Sequence, residues 1–179
     1  SLGDWYYNRK KLPRGVKGIS KKINKMGLDF GIWVEPEMIS KDSDLYRNHP
    51  TWAIEIPNMN PSLGRNQLIL DLSNPEVIIY LKTVLKELLN SANIAYIKWD
   101  MNRNFSDVFS QYLDMEDQGK FNHLYVMGLY DVLEELTTEF PHILFESCSS
   151  GGNRYDLGML YYSPQIWASD NTDPIERLA

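Results

Sequence analysis

The chain has 179 residues, 43% hydrophobic and 23% charged, which excludes a largely disordered segment and allows a buried core. Its 18 Lys and Arg against 24 Asp and Glu leave a formal charge of −6, without general attraction for nucleic-acid phosphates or anionic membranes. No apolar stretch approaches the roughly 20 residues of a membrane helix. No basic leader opens the chain, and the lone Cys148 with scattered His49, His123 and His142 speaks against disulfides or a zinc site and suits a reducing cytoplasm.

In chain order, helical spacing runs from Arg14 to Met26, with Gly27 as a permissive C-cap. Leu28 to Val34 is a short hydrophobic run stopped by Pro36 and predicts a buried strand. The connection from Glu35 to about Leu72 is longer than most, and Trp52, Ile54 and Ile56 within it predict ordered, functional structure. A helix follows, capped by Ser73 or Asn74, with Pro75 in its first turn and a stripe of Val77, Ile78, Leu81, Val84, Leu85, Leu88 and Leu89. Ile94 to Trp99 is the second strand, with Asp100 at its C-terminal end. Lys120 to Glu139 is a helix expected to turn Leu124, Met127, Leu129 or Tyr130, Leu133 and Leu136 inward. His142 to Glu146 is the third strand, Ser147 to Asn153 a glycine-rich turn, and a weaker helix reaches Met159 or Tyr161. Gln165 to Trp167 is a fourth, short strand before Asp170.

Alternating helices and strands demand parallel strands with right-handed crossovers, in either a doubly wound sheet or a (β/α)8 barrel. Polar candidates recur after every strand, at Glu35, Asp100, Cys148 and Asp170, which favours the barrel, where several strand tips share one mouth. A complete barrel needs about 250 residues. The expectation is therefore a partial TIM barrel of about four consecutive strand-helix units.

Lys98 lies two residues before Asp100 on the same strand and so on the same side, an arrangement expected to hold the carboxylate ionised, as a nucleophile requires. Asn102 and Arg103 add donors. Asp173, before Pro174, reads as a helix cap, whereas Asp170 lies close to Trp167 and is expected to be desolvated, with the raised pKa of a general acid. Cys148 alone reads as a small buried hydrophobe, but Gly151 and Gly152 in its turn permit close ligand approach. Trp33, Trp99 and Trp167 are either core filling or platforms for a sugar face.

Tyr96-Ile97-Lys98-Trp99-Asp100-Met101-Asn102-Arg103, with Gly31-Ile32-Trp33-Val34-Glu35-Pro36-Glu37-Met38 upstream and Gln165 to Asp173 downstream, closely resembles the catalytic barrel of glycoside hydrolase family 36 α-galactosidases. The resemblance covers essentially the whole chain. It implies that residues 1–179 are the central part of a (β/α)8 catalytic domain, with flanking barrel strands and accessory β domains outside them. It implies Asp100 as nucleophile and Asp170 as acid/base in retaining hydrolysis of terminal α-D-galactosyl residues, as in melibiose or raffinose, without metal or organic cofactor. It implies substrate contacts at Trp33, Arg65, Lys98, Asn102, Cys148 and Gly151, α-galactoside oligosaccharides as partners and a homo-oligomeric parent. Ser150, Asn153 and Leu157 depart from the usual pattern of the turn. The family's paired aspartates for O4 and O6 would fall before Ser1. A transferase of the raffinose or stachyose synthase type, which uses the same carboxylates, and an inactive isolated fragment are the alternatives.

Overall fold

Gly27 takes φ +77 in the turn after the first helix, but α1 (Gly15–Asn24) already ends before it, two residues earlier than the spacing predicts. In the computed structural model, which describes residues 1–178, strand β1 is Gly31–Val34, shorter than the apolar run and in register with β4 over those four residues. Gly31 is required there: a Cβ would come within 2.8 Å of the Cβ of Tyr96.

The long connection after β1 is ordered, as Trp52, Ile54 and Ile56 predict. It holds a two-stranded antiparallel ribbon, β2 (Met38–Ile39) with β3 (Leu68–Ile69), which flank the short helix α2 (Asp44–Asn48) and a 3-10 turn at Pro50–Trp52. Trp52 and Ile54 are buried and Ile56 half-buried. Gln67 N–H donates to Gly64 at 2.9 Å across Arg65 and Asn66, both at positive φ, the geometry of a type I′ turn.

Helix α3 (Pro75–Asn90) starts where the capping signal lies, with the Asn74 side chain accepting from Glu76 N–H, and it buries Val77, Leu81, Leu85 and Leu89. Strand β4 (Tyr96–Asp100) and helix α4 (Phe121–Glu139) follow. On α4 the inward face differs from expectation: Met127 is exposed, and Phe121, Tyr125, Gly128 and Val132 are buried with Leu129, Leu133 and Leu136. Gly128 explains the rotation, because a Cβ there would lie 2.0 Å from the Leu72 carbonyl oxygen, so α4 closes on the chain entering α3 through its one residue without a side chain.

Strand β5 is Leu144–Cys148, two residues beyond the expected run, in register from Tyr96↔Leu144 to Asp100↔Cys148, so Ser147 and Cys148 belong to the strand rather than the turn. Helix α5 (Leu157–Tyr162) leads to the two-residue strand β6 (Gln165–Ile166). The main sheet runs β1-β4-β5-β6 with every pair parallel, each strand beside the next in chain order once the ribbon is set aside. Val34, Ile97, Trp99 and Phe145 pack on Leu85, Leu88 and Leu89 of α3 and Leu136 of α4. Strand alternation then sends Trp33, Lys98, Asp100, Glu146 and Cys148 to the opposite face, at the C-terminal ends of the strands.

Candidate active site

Asp100 closes β4, which has a strand on each side, and retains only 6% of its exposure. Its Oδ2 accepts from Trp33 Nε1 and its Oδ1 from Met101 N–H, both at 2.9 Å. The Asn102 amide and the Cys148 thiol, its register partner, also face it. Burial by itself would raise the Asp100 pKa, but these four donors outweigh it and hold the carboxyl below the ordinary range. Burial, with the Asp100 carboxylate beside it, pushes the Cys148 thiol up, against a lowering contribution from the Gly151 backbone.

Lys98 shares the face of Asp100, as its spacing predicts, but its ion pair is with Glu146. Its Nζ lies 3.4 Å from Glu146 and 4.0 Å from the centre of the Trp167 ring, so its charge is compensated by the neighbouring strand. The cause is register: Lys98 sits opposite Glu146. Glu146, buried, also accepts from the Tyr96 hydroxyl and from Gln165 Nε2 at 3.3 Å, and burial with this carboxylate raises the Tyr96 pKa.

Two glutamates that residue reasoning left without a role organise the mouth. Glu35 Oε1 accepts from both the backbone N–H and the Nδ2 of Asn102, each at 2.9 Å, and its Oε2 accepts from Gln67 at 3.2 Å. Burial raises its pKa, the Asn102 hydrogen bonds oppose this, the Asp100 charge adds to the rise, and the Arg65 charge lowers it. Glu37, fully buried, accepts from Trp99 Nε1 at 2.9 Å and the Tyr125 hydroxyl at 2.6 Å, and pairs with Arg154 at 2.9 Å. The available signal was Glu35-Pro36-Glu37 directly after an apolar strand, because carboxylates in such a setting require partners.

The turn after β5 joins three strand tips. Ser149 Oγ donates to the Met101 carbonyl at 2.9 Å, Ser150 Oγ to Asn102 Oδ1 at 3.1 Å, and Gly152 N–H to the Ala168 carbonyl at 3.0 Å. Gly151 takes φ +94, with Ala168 O 3.3 Å from where a Cβ would stand. Ser150 and Asn153, which depart from the family pattern, stay within this bonding: Asn153 Nδ2 donates to the Ser149 carbonyl at 2.7 Å.

Trp33, Lys98, Asp100, Asn102 and Cys148 thus share one face, with Gly151 in the turn beside it and Arg65 exposed at the tip of the ribbon. Among the described residues Asp170 is exposed and accepts from Trp167 Nε1 at 2.7 Å, after a strand, β6, whose described neighbour is β5. Asp173 caps as predicted, accepting from Ile175 N–H at 2.8 Å and Glu176 N–H at 3.3 Å. Among the described residues, no cluster of three or more His, Cys, Asp or Glu side chains could hold a metal ion, and no helix is long and apolar enough to cross a membrane.

The family model described as Melibiase matches residues 1–179. The chain belongs to the melibiase family. This melibiase chain is 54% identical to α-galactosidase AgaA of Geobacillus stearothermophilus over 99% of its own length and 24% of that relative. It is 49% identical to α-galactosidase Mel36A of Lactobacillus acidophilus, with the same coverage. It therefore spans about a quarter of the length of the curated relatives it matches. The crystal structure of AgaA, described as a GH36 α-galactosidase, superposes with a TM-score of 0.97 over 99% of this chain and 25% of that one. AgaA has been solved with raffinose and with stachyose, in variants that replace an aspartate by Asn and by Ala respectively; those two aspartates lie seventy positions apart in AgaA.

Proposed function

We propose that this melibiase chain is the central part of a (β/α)8 catalytic domain that hydrolyses terminal α-D-galactosyl residues with retention of configuration. The observation that carries the reading is Asp100, a buried carboxylate held ionised by converging donors at the end of an inner parallel strand. The barrel is supported by parallel strands that follow chain order without reversal, since a doubly wound sheet reverses at its switch point. Asp100 and Asp170 have the same seventy-residue separation as the two aspartates replaced in the AgaA complexes, which supports their pairing as catalytic groups.

In this mechanism Asp100 attacks the anomeric carbon while Asp170 protonates the departing glycosidic oxygen. Asp170 then takes a proton from the water that releases galactose. Trp33, Arg65, Lys98, Asn102, Cys148 and Gly151 bind the sugar. Lys98, clamped between Glu146 and Trp167, presents a fixed ammonium beside the Trp167 ring, whose flat face suits the apolar side of a pyranose. No metal or organic cofactor takes part. Substrates are α-galactoside oligosaccharides such as raffinose and stachyose, the ligands of the AgaA complexes. The lone Cys148 supports a reducing cytoplasm, the charge of −6 argues against nucleic-acid partners, and a homo-oligomeric parent follows from the family resemblance.

The test is the configuration of the first product. The full-length protein acting on p-nitrophenyl α-galactoside, followed by proton NMR, should release α-galactose before mutarotation. Initial β-galactose, or no turnover, would overturn the reading.

A further inference from the structure

Asn102 has two ends, and only one of them suits its place. Its Nδ2 donates to Glu35 Oε1 at 2.9 Å and is among the groups that lower the Asp100 pKa, while its Oδ1 accepts from Ser150 Oγ at 3.1 Å. An amide turned over would set a carbonyl oxygen against the Asp100 carboxylate, replacing an attraction with a repulsion. Ser150 cannot enforce the choice, since a hydroxyl donates or accepts by rotation and would serve either end. Glu35 can. An ionised carboxylate only accepts, and one oxygen, Oε1, takes the backbone N–H and the Nδ2 of Asn102 together at 2.9 Å each.

We infer that Glu35 is a positioning residue: it clamps Asn102 at backbone and side chain so that the amide nitrogen, not the oxygen, faces the Asp100 carboxylate. Glu35 is itself rigid. It is buried, it follows β1 by one residue, and Gln67 at the base of the ribbon turn holds its second oxygen at 3.2 Å. Trp33 and Glu35, two residues apart on one strand tip, therefore both serve Asp100, the first by direct hydrogen bond and the second through Asn102.

This inference rests on the proposed role of Asp100, and the experiment separates the two. In the full-length protein, kcat and kcat/KM for aryl α-galactosides of varied leaving group are measured for wild type, Asp100→Ala, Glu35→Ala, Asn102→Ala and the double variant Glu35→Ala/Asn102→Ala. Inactive wild type or active Asp100→Ala would defeat the functional reading. With that reading intact, Glu35→Ala should lose about a hundredfold in kcat, the cost of a misplaced group at the reacting centre. The loss should be the same for good and poor leaving groups, and the double variant should be no worse than Asn102→Ala alone. Full activity of Glu35→Ala, additive losses, or a loss that tracks leaving group would overturn the inference.

Should Glu35→Ala fail to fold, Glu35→Gln decides. Its single carbonyl oxygen can keep both Asn102 bonds. Gln67, whose buried Oε1 has no partner in the present arrangement, can turn over to accept from the new amide. A loss of about tenfold is expected, vanishing in the Asn102→Ala background. A loss as deep as that of Asp100→Ala, or one that persists without Asn102, would overturn the clamp.

Discussion

Asp100 and Asp170 follow two parallel strands of one sheet, yet their surroundings differ in almost every physical respect. Asp100 ends a strand flanked on both sides, is buried, and receives bonds from Trp33 and Met101, with the Asn102 amide and Cys148 thiol beside it. Asp170 follows a two-residue strand whose described neighbour is β5, and among the described residues it is exposed and bonded by Trp167. The difference teaches that a strand tip takes its environment from the strands beside it: the described residues supply both neighbours of β4 and one neighbour of β6, and a closed barrel would supply the other. Trp99 directly precedes Asp100 yet turns away to bond Glu37, whereas Trp167, three residues before Asp170, bonds it directly.

The sharpest way to break the comparison is to remove each carboxylate. Asp100→Ala in the full-length protein should lower kcat on the order of 10⁴-fold or more for every substrate. Added azide should restore turnover, yielding a galactosyl azide of inverted anomeric configuration. Asp170→Gly should lose about 10² to 10⁴-fold with poor leaving groups and far less with good ones. Matching profiles for the two variants would erase the distinction between them.

A smaller effect tests why Asp100 is ionised. Trp33→Phe deletes one donor to Oδ2, a bond to a charged group being worth about 1.5 to 3 kcal/mol. With that donor gone, the Asp100 pKa rises. Because the ionised form exists only above that pKa, the acidic limb of the kcat/KM profile should move to higher pH, by about one unit. An unmoved limb would mean that Asp100 is not the group titrating there.

Much of the scaffold was legible because it depends on local signals. Asn74-Pro75 and an unbroken apolar stripe specify α3, and short apolar runs ending in polar residues locate the strands. What could not be read depends on register and long-range packing. The pairing of Lys98 with Glu146 rather than Asp100 needs the alignment of β4 with β5. The outward Met127 needs the contact between Gly128 and Leu72, which lie far apart in the chain. Glu35 and Glu37 were visible as residues, but their partners Asn102, Tyr125 and Arg154 come from three later segments. The surroundings of Asp170 depend on the barrel strand that would flank β6, so a tryptophan three residues before it does not by itself set its exposure.

The most direct test is to trap the covalent intermediate. The full-length protein treated with a slowly turned over 5-fluoro-α-D-galactosyl fluoride, digested and sequenced by mass spectrometry, should carry a single fluorogalactosyl group on Asp100. A label on Asp170 or Glu35, or active enzyme that accumulates no label at all, would contradict the account.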